Sequence, residues 1–181
     1  MHFNDYQYLK KKEILLVILL VLFSAAVRIP VILILGDANL ENEWLQLVNN
    51  LIDHKGLSMS TVEGLLLPNL WMPPLYAYYI YLFSFFNLEN QNFILLILSS
   101  QIMLASISVG IFYGINKYFF SKKISIFSSL LFSLFPINLY ACAQISSVTL
   151  YIFLALFFYY YFFKITKNNN ILTIFVFAIA A

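Results

Sequence analysis

Long apolar runs separated by short polar stretches make up most of this chain. Residues 1–13 (MHFNDYQYLKKKE) are polar and carry Lys10, Lys11 and Lys12 just ahead of an apolar run. That run, residues 14–35, is 22 positions long and holds one charge, Arg28. About 20 apolar residues cross the hydrocarbon core of a bilayer, so it predicts a transmembrane helix. A signal peptide has a shorter apolar segment and a small-residue cleavage site. Here Arg28 and further apolar residues follow Ala25-Ala26, which argues for a retained span. Residues 93–115 predict a second span, with Ser99, Ser100, Ala105, Ser106, Ser108, Gly110 and Gly114 suited to close helix packing in lipid. The apolar run 124–163 is interrupted by Pro136, Asn138 and Gln144, which predicts two helices, about 124–143 and 146–163. Residues 171–181 (ILTIFVFAIAA) are expected to begin another span, making this an N-terminal fragment of a longer membrane protein.

Residues 36–73 are the long polar stretch. Leu40, Trp44, Leu47, Val48 and Leu51 recur at intervals of three and four, which predicts an amphipathic helix over about 40–54. Such a helix is expected to rest on the membrane surface with Trp44 among the headgroups. Residues 74–88 are apolar but short for a crossing, and two arrangements are open. If they span, the lysines at 117–123 and 164–167 fall on the outer side, against the positive-inside bias. If they are re-entrant or interfacial, those lysines fall inside. Both arrangements place 36–73 outside.

Composition narrows the class. Of 181 residues, 62% are hydrophobic and 10% charged, with a mean hydropathy of +0.87. Soluble domains carry about 25% charged residues. This excludes a soluble enzyme, a nucleic-acid-binding domain and a secreted disulfide scaffold. The fold class is an all-α polytopic transmembrane helix bundle with an outer-face amphipathic juxtamembrane helix. Cys142 is the single cysteine, and His2 and His54 lie far apart, so no metal or cofactor site is evident.

Charge is unevenly spread. Asp37, Glu41, Glu43, Asp53 and Glu63, five of the eight acids, fall within 36–73 beside a single base, Lys55. A carboxylate at a water–lipid boundary loses hydration and becomes a better general base. Solvated acids favouring a helix N-terminus are the plainer reading. Arg28, the only arginine, lies seven residues below Leu35, about 10 Å of helix. It is placed either to snorkel to the outer interface or to hold a lipid phosphate. Pro73 and Pro74 stop the loop, and Trp71 and Tyr76 suit an interfacial belt.

The stretches ENEWLQLVNNLIDHKGLS and NLWMPPLYAYYIYLF resemble the first outer loop of polytopic GT-C glycosyltransferases, the group related to protein O-mannosyltransferases and the aminoarabinose transferase of lipid A. Glu43 stands at the family's acidic position, Gly56 in its glycine turn, and Trp71, Pro73, Pro74 and Tyr76 at the start of the next helix. Arg28 matches an arginine near the outer end of the first span. His54 stands where the first glycine of the turn is expected, and Asn42 splits Glu41 from Glu43.

The resemblance implies a GT-C-like bundle in a bacterial cytoplasmic membrane, with its site on the outer face. It implies transfer of a sugar from a polyprenyl-phosphate donor to a hydroxyl of a lipid, glycan or protein acceptor. Glu43, or else Glu41 or Asp37, would be the general base, and Arg28 would bind the donor phosphate. The rivals are a non-enzymatic transporter fragment or assembly subunit, and a lipid-linked glycan polymerase or ligase of another fold.

Overall fold

A computed structural model describes residues 3–40, 42–60 and 64–167. Glu41, Glu63 and the expected span at 171–181 lie outside the described residues. Among the described residues, seven helices and one two-stranded hairpin follow in the order α1 (Phe3–Leu35), α2 (Asn42–Ile52), β1 (Ser58–Ser60), β2 (Leu66–Pro68), α3 (Pro74–Ser84), α4 (Asn90–Phe119), α5 (Lys122–Leu134), α6 (Pro136–Ala143) and α7 (Val148–Lys167). The chain is a membrane protein by this architecture. α1, α4 and α7 are long and apolar enough to cross a bilayer, and the bent pair α5–α6 makes a fourth candidate crossing.

α1 and α4 run antiparallel. Glu13 near the start of α1 pairs with Lys117 near the end of α4. At the opposite end the Asn90 amide donates to Asn39 Oδ1 at 3.3 Å. Their close approach rests on Gly110, where an added Cβ would sit 3.2 Å from both Val17 and Val21. α5 packs through a serine stripe: Ser125, Ser129 and Ser133 are all fully buried. Small side chains at every fourth position let helix backbones approach in lipid. Ser125 and Ser129 return their hydroxyls to carbonyls one turn back, at 3.0 and 2.7 Å.

The break between α5 and α6 is set by Pro136. Phe135 adopts the extended backbone that a residue before proline prefers (φ −65°, ψ 121°), and the two helices meet at 49°. A second break at Gln144 (φ −99°, ψ 144°) separates α6 from α7. α7 then returns beside α4, with Phe163 edge-on to Phe119 at 4.9 Å between ring centres.

The structure chooses between the two arrangements open for residues 74–88 and gives the amphipathic helix a different setting. Residues 74–88 do not form a crossing. α3 has 11 residues, roughly 16 Å of helix against a hydrocarbon core of about 30 Å. Its Tyr76 hydroxyl bonds Gln101, and the chain leaves it to start α4 beside Asn39, so it returns to the end of the bundle where it began. Lys117, Lys122, Lys123, Lys164 and Lys167 consequently share the end occupied by Lys11 and Lys12. The amphipathic helix also differs from its expected setting. α2 buries Leu47, Val48 and Leu51 against α3 and α4, in clusters with Ala77, Tyr76, Ile80 and Ile94. Its apolar face meets protein instead of lipid.

α2 ends in a Schellman turn, with His54 N–H to the Leu51 carbonyl at 3.2 Å and Lys55 N–H to that of Asn50 at 2.8 Å. This requires a left-handed residue, and His54 supplies it at φ 58°. Gly56, at φ 72°, makes the following turn, and Asn50 Nδ2 then ties α2 to the Ser58 carbonyl at 2.7 Å. β1 pairs antiparallel with β2, Met59 opposite Leu67.

Candidate functional site

At the acidic end of the bundle, polar groups from four helices and two connecting segments form one connected clasp. Gln144, in the α6–α7 break, donates through Nε2 to the Leu35 carbonyl at 2.9 Å, where α1 ends. Gln101 of α4 donates to the Gln144 carbonyl at 3.0 Å and accepts from Tyr76 Oη of α3 at 3.2 Å. Asp37 closes the other side. Its backbone N–H reaches the Ala143 carbonyl at 3.1 Å, and its carboxylate accepts the Ile145 N–H at 2.6 Å. Helix breaks leave backbone groups without partners, and buried ones must find them elsewhere. Asp37 and the two glutamines supply these partners. Gln101 and Gln144 look like mid-span polar residues in the sequence, yet they lie at the acidic end and are satisfied.

Tyr76 sits at the centre, fully buried, with Trp44 of α2 edge-on at 4.7 Å between ring centres. Burial, reinforced by Tyr79 and then Asp37, pushes its phenol far above the ordinary range. It therefore remains a hydrogen-bond donor at any physiological pH. The tyrosine stripe of α3 divides accordingly: Tyr76 is buried, Tyr79 pairs with Ser100, and Tyr78 is exposed.

Glu43 stands above this layer. It occupies the first turn of α2 and is exposed, because the helix presents Leu47 and Val48 to the opposite side. With Leu45, Gln46, Asn49 and Met59 it lines a shallow open cleft. Glu43 is thus an accessible carboxylate flanked by two amides, a set able to accept a proton from a hydroxyl and to hydrogen-bond its neighbours.

Arg28 lies below the clasp and is 1% exposed. It does not snorkel. Its Nη1 donates to the Ser24 carbonyl at 3.1 Å, pairs with the Ser24 hydroxyl, and approaches Ser133 Oγ at 3.5 Å. The Cys142 thiol is also within its reach, and its Nε has no partner. No carboxylate faces it among the described residues. The adjoining void, about 10 Å³, is lined by Ala105, Ser108, Phe132, Asn138 and Thr149 and has room for about one water. In this conformation no lipid phosphate reaches the guanidinium.

The expected site residues therefore separate into layers. Glu43 is open to water, Asp37 is engaged in the clasp, and Arg28 is enclosed beneath it. Of the loop residues, Tyr76 is buried in the clasp, Pro73 caps α3 and Pro74 begins it. Gly56 turns the chain, and Trp71 points away at 87% exposure. Ser24, Ser133 and Cys142 were not among the expected residues. The four-residue spacing of Ser125, Ser129 and Ser133 is the one sequence signal that marks part of that pocket. Among the described residues no three His, Cys, Asp or Glu side chains gather to hold a metal ion. Comparison of the chain with protein-family models, with curated proteins and with solved structures finds no match.

Proposed function

We propose that the chain carries the donor-facing part of a membrane glycosyltransferase, which moves a sugar from a polyprenyl-phosphate donor to an acceptor hydroxyl. On this reading the acidic end faces the outer side of a bacterial cytoplasmic membrane. The observation that carries it is the position of Glu43. It is an exposed carboxylate in the first turn of α2, whose apolar face packs on α3 at one end of a transmembrane bundle. An amphipathic donor presents its reactive phosphate at that boundary, and its acceptor arrives from water. Glu43 takes the acceptor's proton as the hydroxyl oxygen bonds to the anomeric carbon. The bond from that carbon to the phosphate oxygen breaks, and the phosphate leaves with the electron pair. Asp37 positions the α6–α7 break.

Arg28 would balance the charge on the departing phosphate. It meets that phosphate only if the α5–α6 elbow moves off α1, since Ser133 and Cys142 enclose it. The test is transfer from a panel of polyprenyl-phosphate hexoses and pentoses by the full chain in vesicles. Glu43→Gln should lower the rate about 100-fold, the scale of lost general-base catalysis. Full activity in Glu43→Gln with loss in Glu41→Gln would move the base to Glu41, and full activity in both would remove the assignment.

A non-enzymatic transport role is the second reading. The bent α5–α6 pair beside an enclosed, partly unpartnered cation favours it, since transporters build sites at broken helices. Transport predicts anion uptake lost in Arg28→Gln and indifferent to Glu43→Gln. Transfer predicts sensitivity to both.

A further inference from the structure

From Gly64 to Leu88 the sequence contains no charged residue. That stretch covers β2, the turn after it and the whole of α3, and much of it is uncovered. Leu65, Leu66 and Leu67 are about half exposed, and Leu70 and Trp71 are 82% and 87% exposed. α3 continues the apolar surface with Leu75, Tyr78 and Leu82. Water is a poor neighbour for such a face, and a monomer seldom leaves one this continuous without a partner.

The depth of this face follows from the bundle. About 20 residues of helix span the roughly 30 Å hydrocarbon core. Counted from Glu13 along α1 they end near Leu33, and counted back from Lys117 along α4 they end near Ile97. Both helices therefore place the far hydrocarbon boundary at one level. Tyr76 and Tyr79 of α3 bond to Gln101 and Ser100 just beneath that level. Trp71 stands three residues before α3, the helix that those two bonds fasten at this depth.

The turn is also built for a place poor in water. Asn69 Oδ1 accepts the N–H groups of Trp71 and Met72 at 3.3 and 3.0 Å, and its Nδ2 donates to the Met72 carbonyl at 2.7 Å. The Asn69 N–H bonds the Leu57 carbonyl at 2.9 Å, and Pro68, Pro73 and Pro74 have no N–H to satisfy. Backbone groups entering lipid need partners within the protein. Tryptophan and leucine at this level are the usual anchors of an interface.

We propose that residues 64–75 are a membrane-seating surface, resting in the headgroup and upper acyl region of the leaflet at the acidic end of the bundle. The occupant is the lipid leaflet. This surface takes over the anchoring that α2 cannot perform, since the apolar face of α2 is spent on α3. It stands whether or not the transferase reading holds.

The chain has two tryptophans, so Trp44→Phe leaves Trp71 as the only indole. The Trp44→Phe chain is reconstituted in phosphatidylcholine vesicles whose acyl chains carry bromine at graded depths, and its emission is compared with that in unbrominated lipid. The expected result is blue-shifted emission, quenched most by the bromines nearest the headgroups, with iodide quenching several-fold weaker than for a free indole. Emission of a water-exposed indole with full iodide access overturns the proposal. Shielding from both bromine and iodide overturns it too, and assigns the face to protein: a second copy or another segment. If Trp44→Phe does not fold, the difference between wild type and Trp71→Phe reports the same indole and is judged by the same outcomes.

Discussion

The carboxylate of Asp37, two residues beyond the end of α1, accepts the backbone N–H of Ile145 at 2.6 Å across a sequence gap of 108 residues. One side chain thus fastens the first crossing to the break between α6 and α7. A hydrogen bond to a charged acceptor contributes about 1.5–3 kcal/mol, so Asp37→Ala should lose stability on that scale. Asp37→Asn, which keeps an acceptor oxygen, should lose less. Thermal unfolding of the two variants in detergent micelles checks the order, and equal losses would deny the carboxylate its role as clasp.

Arg28 gives the opposite expectation. A buried charge without a carboxylate partner contributes little to stability, and an apolar replacement of similar volume is often neutral or stabilising. Arg28→Met should unfold at or above the wild-type midpoint while losing the function that depends on the cation. A loss greater than about 2 kcal/mol would show that the guanidinium is held for the fold instead.

His54 occupies a left-handed position at φ 58°, which costs a side-chain-bearing residue about 1–2 kcal/mol. The Schellman turn around it uses only backbone bonds, so His54→Gly keeps them and should raise the unfolding midpoint. A lowered midpoint would mean that the imidazole makes a stabilising contact.

Gly114 faces Tyr160 of α7 so closely that an added Cβ would lie 3.0 Å from the ring. Gly114→Val should cost about 1–3 kcal/mol by overpacking. Combining it with Tyr160→Ala should recover part of that loss, since contacting sites couple by about 0.5–3 kcal/mol. Strict additivity in the double-mutant cycle would contradict the packing.

What the sequence showed in advance follows from the range of each interaction. α1, α4 and the helix at 42–52 were legible because their apolar positions repeat over many turns. The break near Gln144 was legible from its polar interruption, whereas the elbow at Pro136 falls inside the helix expected over 124–143 and divides it in two. α3 was ambiguous, since PLYAYYIYLFSFF has a span's composition without its length, and only Tyr76 meeting Gln101 settles its course. The hairpin was missed because Leu66, Leu67 and Pro68 carry no strand periodicity in three residues. The site was legible in its residue types and not in its layers. Nothing near Arg28 in sequence signals Ser133, 105 residues away, or the enclosure it helps to form.

The account rests on four crossings, counting the bent α5–α6 pair as one, that put the lysine-rich end and the Glu43 end on opposite sides of the membrane. Single cysteines introduced at Asn49 and Ser121, both exposed, in a Cys142→Ser background, test this with a membrane-impermeant maleimide on intact cells. The expected result is labelling of Asn49→Cys on intact cells and of Ser121→Cys only after permeabilisation. Labelling of both positions from one side, or the reverse pattern, would contradict it.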